Sequence, residues 1–112
     1  MKARTEARLW LAQRASAALL ALCVAVHLAT MIVAVRGGLS AADILGRTRG
    51  SVAWAAFYCV FVLAVSIHAP LGLRTIASEW LAWRGRGADA ACVVVAIVFL
   101  ALGLLAVGSV AL

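Results

Sequence analysis

The sequence predicts an all-α membrane protein of three transmembrane helices with its N-terminus in the cytoplasm. Two observations carry the prediction. The first is composition: 67% of the 112 residues are hydrophobic and 12% are charged, with a mean hydropathy of +1.13. A soluble domain is about half apolar and about a quarter charged, so a chain this short would expose too much apolar surface in water. The second is segmentation. The apolar residues fall into three runs, near 15–35, 52–73 and 90–112, and each approaches the roughly 20 residues that cross about 30 Å of hydrocarbon. Helix is the state open to such runs in lipid, because every backbone polar group must be satisfied within the segment. No internal repeat or low-complexity linker interrupts them, so residues 1–112 read as one three-helix anchor domain.

Each element has local justification. The first run follows Lys2, Arg4, Arg8 and Arg14. It exceeds the 7–15 apolar residues of a signal peptide, and two more spans follow it. Gly37 and Gly38 stop it, and Ser40 with Asp43 three residues later has the pattern of a helix N-cap, which predicts a short interfacial helix in the first loop. The second run has Trp54 and Tyr58 near its start, while Trp10, Trp80 and Trp83 lie near the opposite ends, as in an aromatic belt. Pro70 removes one backbone donor inside this run and frees the carbonyl of Ser66, which predicts a bend beside His68. The third run carries no charge past Asp89.

Ten Lys and Arg against four Asp and Glu give a formal charge of +6. The bases flank apolar runs and act as topology signals, so nucleic acid is not the indicated partner; the lipid bilayer is. Seven of them, Lys2, Arg4, Arg8, Arg14, Arg74, Arg84 and Arg86, fall on one side of the three spans, against Arg36, Arg47 and Arg49 on the other. The positive-inside rule puts the richer side in the cytoplasm, which for a bacterial-type chain means a multi-pass protein of the inner (cytoplasmic) membrane. Cys23, Cys59 and Cys92 each sit in a different run and form no CxxC pair, so neither a zinc site nor a disulfide framework is indicated.

Functional chemistry concentrates on two histidines, His27 in the first run and His68 in the second. A membrane segment carries an imidazole where it faces the bundle interior and binds or relays something, and neutral imidazole is the usual protein ligand of haem iron. Three readings stand: axial ligation of haem b, a proton or ion path, and hydrogen bonding between helices. Without a CxxCH motif, any haem would be held non-covalently. Gly72 lies four residues after His68 on the same helical face, where a missing side chain admits either a flat macrocycle or a packed helix.

Depth separates the two imidazoles. His27 lies about 20 Å beyond Arg14 along a helix, whereas His68 lies about 9 Å before Arg74, at the same boundary. A mismatch of about 10 Å disfavours one iron shared within the chain, so each histidine is expected to meet a ligand from another chain.

The segment His68-Ala-Pro-Leu-Gly-Leu-Arg-Thr-Ile-Ala-Ser-Glu79 resembles the second-helix signature H-x-x-x-G-x-R-H-x-x-x-D of the cytochrome b membrane-anchor subunits of succinate dehydrogenase and fumarate reductase. Gln13-Arg-Ala-Ser16 is similar to that family's first-helix start, H/Q-R-x-S-G. The resemblance implies His68 as a haem axial ligand and Arg14 and Ser16 near a cytoplasmic quinone pocket. It puts Arg74 near the haem propionates or the quinone, and Glu79 in place of the family's acidic residue. His27 resembles the extra first-helix histidine of two-haem relatives. Ala17, Thr75 and Trp10 depart from the pattern, standing where the family has Gly, often a second His, and in some members a quinone-pocket serine. Plainer roles exist for several of these residues. Arg14 can be a snorkelling topology charge, Ser16 can bond its own helix, and Arg74 with Glu79 can pair at the surface.

What the resemblance implies as function is a haem b-containing anchor of a succinate:quinone oxidoreductase. Such an anchor passes electrons from an iron–sulfur partner to ubiquinone or menaquinone. Its partners would be flavoprotein and iron–sulfur subunits, with a second anchor chain or a second copy of itself in the membrane. The chain has no flavin or dinucleotide fingerprint, so the dehydrogenation belongs to partners. Two alternatives accompany this reading: a b-type haem subunit of another quinone-linked dehydrogenase, and a cofactor-free structural or assembly protein.

Overall fold

The computed structural model describes residues 2–112 and is all-helical among them. α1 spans Ala3–Gly37, α2 Ala41–Thr48, α3 Val52–Trp80 and α4 Arg86–Ala111. The three long helices are each long and apolar enough to cross a membrane. They also outrun the apolar runs. α1 begins at Ala3 rather than near residue 15, α3 continues to Trp80 rather than 73, and α4 starts at Arg86 rather than 90. Intrahelical bonding persists through the interface, because charged and aromatic side chains there reach water while the backbone stays satisfied. At 1.5 Å per residue the 35 residues of α1 span about 52 Å, well beyond the hydrocarbon layer.

The first loop is built as its sequence suggests. α1 ends at Gly38, whose φ of +131° suits glycine. A Cβ there would come within 2.6 Å of the Asp43 carboxylate, so this position is closed to other residues. Ser40 caps α2 by accepting the Asp43 N–H at 3.1 Å. Arg47 then donates back to the Gly38 carbonyl at 2.8 Å. α2 also closes the end of α4: the Thr48 hydroxyl donates to the Val110 carbonyl at 2.6 Å, and the Gly50 N–H to the Ala111 carbonyl at 2.8 Å. The C-terminal carbonyls of a helix have no intrahelical donors; Thr48 of α2 and Gly50 just after it supply two.

α3 is the central helix. It packs against α1 along one flank and α4 along another, while α1 and α4 form no comparable seam. The α1 residues turned toward α3 recur at alternating intervals of four and three: Ser16, Leu20, Cys23, His27, Thr30 and Ala34 are among the less exposed positions of that helix, the period of a left-handed helix pair. Leu11, Leu22, Val26, Ile32 and Val35 are exposed on its remaining surface, which suits lipid.

The α3–α4 seam is tighter. A Cβ on Gly103 would stand 2.5 Å from the Val62 side chain, so the two backbones approach as closely as a glycine allows. Pro70 is fully buried, and α3 runs through it as one helix. At the N-terminal face of this seam Arg74 Nε donates to Asp89 Oδ1 at 2.9 Å.

Candidate functional site

Nearly all the polar side chains within the α1 span lie on its α3-facing stripe, and two interhelical regions result. The first surrounds His68. Its imidazole is half-buried, and Nδ1 is buried without a hydrogen-bond partner. The ring sits at the edge of a groove of about 480 Å³ that runs along α1 past Ala17, Leu20, Ala21, Val24, Ala25 and Leu28. Alanines at intervals of four remove bulk from this flank, so a flat apolar body can lie against the helix backbone with the imidazole at its edge. The groove has one helix as its floor and His68 as its only polar wall, and its remaining side is open.

Arg14 and Trp10 lie toward the N-terminal end of α1, the Arg14 guanidinium 5.3 Å from the Trp10 ring. Helical spacing places both on the flank that carries Ala17 and Ala21. Arg14 is exposed and makes no ion pair among the described residues.

The second region surrounds His27, whose Nδ1 is likewise buried and without a partner. Its ring meets Phe61 edge-on at 5.7 Å and Tyr58 at 6.3 Å. Trp54 and Phe57 extend the cluster, with Trp54 stacked on Tyr58 at 5.6 Å. Tyr58 thus packs toward α1 in addition to sitting near the interface. His27 lines a second apolar groove of about 480 Å³, bounded by Tyr58 and Phe61 of α3, Phe99 and Leu102 of α4, and Ile44 and Thr48 of α2.

The two histidines do not converge. Gln13 stands opposite Gly72, its amide nitrogen 3.4 Å from where a Gly72 Cβ would be. The antiparallel register then sets His68 level with Ala17, and His27 lies about ten residues, or about 15 Å, further along α1. The imidazoles line separate grooves. The separation exceeds the expected 10 Å and excludes one iron bound by both in this arrangement.

Gly72 has a packing role here. The space it leaves is filled by Gln13 rather than by the groove beside His68. Ser16 is buried in the α1–α3 seam and donates to the Gln13 carbonyl at 3.1 Å, bonding its own helix. Arg14 points to another flank two residues away, and Glu79 is exposed near the end of α3; the structure does not bring Arg14, Ser16 and Glu79 together. Arg74 pairs with Asp89 of α4, not with Glu79.

A different set does gather at the N-terminal end of the α1–α3 seam. Glu6, Trp10, Gln13, Leu71, Arg74 and Thr75 line a small polar cavity of about 150 Å³, into which Gln13 brings an unpaired, buried Oε1. Sequence reasoning passed over Gln13 and Asp89. Gln13 begins the first-helix motif, which was the available signal; Asp89 offered only its place in the first turn of α4.

Among the described residues no three His, Cys, Asp or Glu side chains gather into a metal-binding group. Each histidine stands alone, which suits an axial ligand, because the macrocycle of a haem supplies the equatorial ones. The donor chemistry and the alanine-lined groove at His68 fit that group.

A family model for the succinate dehydrogenase/fumarate reductase transmembrane subunit matches residues 1–105. No curated protein and no solved structure matches the chain. The match covers nearly the whole sequence, and the chain belongs to this family: it is a multi-pass membrane subunit of a succinate dehydrogenase or fumarate reductase.

Proposed function

From that membership we propose that the chain is the haem b-carrying anchor that delivers electrons to membrane quinone. It would hold flavoprotein and iron–sulfur subunits on its N-terminal face. The observation that carries this reading is His68: a half-buried imidazole with an unpaired Nδ1, set at the edge of an alanine-lined groove that its own chain leaves open. His68 would hold the haem iron, and Ala17, Ala21 and Ala25 would admit the macrocycle. Arg14, on the same flank toward the base-rich face, would supply positive charge for its acidic substituents. When bound, haem supplies a one-electron reservoir whose potential the imidazole and its surroundings tune. The open side of the groove calls for a second anchor chain or a second copy bringing the opposing ligand.

The quinone headgroup would bind at the N-terminal end of the α1–α3 seam. There Gln13, the Trp10 indole, Thr75 and Arg74 surround the polar cavity, beside Arg14 and Ser16. Reduction of a quinone takes two electrons and two protons. Donors such as the Trp10 indole N–H and the Arg74 guanidinium would lower the cost of the intermediate negative charge on the carbonyl oxygens. The Gln13 Oε1 would accept from a hydroxyl of the reduced form, and Glu6 stands at the rim where protons enter from water. Glu79, exposed on the same face, fits better as a contact for a soluble partner. The excess of bases on this face supports its placement in the cytoplasm, and hence the inner membrane as the location.

A second reading extends the first. His27 also has an unpaired buried Nδ1 and lines a groove of similar volume, which favours a second haem nearer the opposite surface.

The test is optical. The purified complex should give a reduced-minus-oxidised b-type spectrum and a pyridine haemochrome. His68→Ala should insert and assemble yet lose the component. An unchanged spectrum in His68→Ala overturns the assignment. In a dimer of two copies, one haem per anchor chain with one component lost in His27→Ala supports two haems per dimer; half a haem per chain with an indifferent His27→Ala removes the second.

A further inference from the structure

Two further cavities meet on the N-terminal face, on the α4 side of α3, and the outer one shares Glu6 and Arg74 with the cavity assigned to quinone. The turn between α3 and α4 and the start of α4 enclose a polar basin of about 540 Å³, walled by Arg74, Ser78, Trp83, Arg84, Arg86 and Asp89, with Glu6 at its edge. An apolar slot of about 300 Å³ runs from it into the span between α3 and α4, past Pro70, Leu73, Ala91, Cys92 and Val95. Arg74, Trp83 and Ala88 line both. A basic mouth therefore opens onto an apolar slot.

The charges of the mouth select its occupant. Three guanidiniums face two carboxylates, and one of each is engaged in the Arg74–Asp89 pair. Arg84 is held in place by Ser78, its Nε donating to Oγ at 2.7 Å and its terminal nitrogen to the carbonyl at 3.4 Å. Those neutral partners aim the guanidinium without cancelling its charge. Arg86 makes no ion pair among the described residues. The turn itself is fixed: Ala82 adopts a left-handed φ of 52°, and the Trp83 N–H donates to the Ala77 carbonyl at 3.0 Å, which sets the indole between basin and slot.

A neutral amphiphile such as a quinone would fill the slot but gain little from the two arginines outside the Arg74–Asp89 pair, which outnumber the one remaining carboxylate, Glu6. An anionic head with an acyl tail uses both parts, and basic pockets between transmembrane helices at the cytoplasmic surface hold such heads. We propose that this is a binding site for an anionic phospholipid, its phosphate at Arg84 and Arg86 and one acyl chain in the slot between α3 and α4. The lipid would seal the N-terminal half of the seam beside Arg74 without entering the α1–α3 cavity assigned to quinone.

The experiment uses the purified complex, delipidated and reconstituted with phosphatidylcholine and spin-labelled phosphatidylglycerol or spin-labelled phosphatidylcholine. The immobilised fraction of each label is read. The wild type should prefer phosphatidylglycerol, and Arg84→Gln with Arg86→Gln should cut that preference about fivefold per arginine. Arg49→Gln, on the opposite face, should leave it unchanged. Ala91→Trp, which fills the slot, should lower immobilised phosphatidylglycerol with both arginines intact. Equal preference in the wild type and the double glutamine variant overturns the proposal. So does displacement by excess inorganic phosphate, which would make this a free-phosphate site, or by a short-chain quinone. Should the double variant fail to assemble, Arg84→Lys with Arg86→Lys keeps the charge and must keep the preference; its loss also overturns the site. The readout needs neither haem nor quinone turnover, so it stands or falls apart from the function proposed above.

Discussion

The two seams of α3 are made differently. Toward α4 the packing is close at mid-seam, where Gly103 meets Val62; Pro70 is fully buried beside the apolar slot, and both ends are tied, by Arg74–Asp89 at one and by Thr48 and Gly50 at the other. Toward α1 the stripe carries Gln13, Ser16, Cys23, His27 and Thr30, facing His68 and Gly72, and three of these side chains hold buried polar atoms without partners. In lipid, helix association rests on packing and on satisfied polar groups. The α3–α4 hairpin, latched by α2, therefore acts as the scaffold. α1 is held by a seam in which Gln13, His27 and His68 keep buried polar atoms without a partner among the described residues. Under the proposed function, stability and function are divided between the two flanks of one helix.

Paired substitutions across α3 can break that division. The largest contrast is His68→Ala against Ser66→Ala, two residues away. The first should abolish the b-type spectrum of the haem it is proposed to hold. The second removes a buried hydroxyl that has no partner, so it should keep the spectrum and leave stability equal or up to about 1 kcal/mol higher. If Ser66→Ala also loses the spectrum, the two flanks are not separable.

Next in size is Gly103→Val, which drives a side chain into Val62 and should destabilise the scaffold by about 1–3 kcal/mol in thermal unfolding of the detergent-solubilised protein. Val62→Ala should restore part of the loss in a double-mutant cycle. An additive cycle would show that the two residues do not meet.

On the other seam, Gln13→Ala removes an unpaired buried oxygen along with a proposed quinone contact. The apparent KM for quinone should rise roughly two- to tenfold, while succinate oxidation with an artificial acceptor and thermal stability stay level. Lower stability with an unchanged KM would make Gln13 part of the scaffold.

The smallest effect concerns the latch. The Ser40 hydroxyl, together with the Ser40 backbone N–H and the nearby Arg47, holds the Asp43 carboxyl below the usual carboxylate value. The folded state then binds its proton less readily than the unfolded chain does. The latch keeps its full contribution above the unfolded value and loses it as pH falls through the depressed folded one. Amide exchange in α2 should accelerate over that acid range in the wild type and not in Asp43→Asn. A pH-independent wild type would remove the carboxylate from the cap.

Some of this architecture is legible residue by residue. The Ser40–Asp43 cap and the three spans depend on groups within a few positions of each other, where helical spacing alone fixes who meets whom. Arg74 shows where such reading stops. Glu79 is its nearest acidic neighbour along the helix, yet its partner is Asp89, delivered by the next helix after a tight turn through Ala82. Gly72 is similar, for its open face is as suitable for a macrocycle as for a helix until Gln13 is seen to fill it.

By itself the sequence determined the membrane class, the number of spans, the family motifs and the two histidines at unequal depth, because hydropathy and spacing along one helix are properties of the chain alone. The tertiary structure decided which groove each imidazole lines, which carboxylate Arg74 meets and which polar groups are left without partners. Those outcomes depend on the rotation and register of one helix against another, and in lipid these are set by where small residues let backbones approach, as at Gly103, and by the side chains that fill the remaining gaps, as Gln13 does at Gly72.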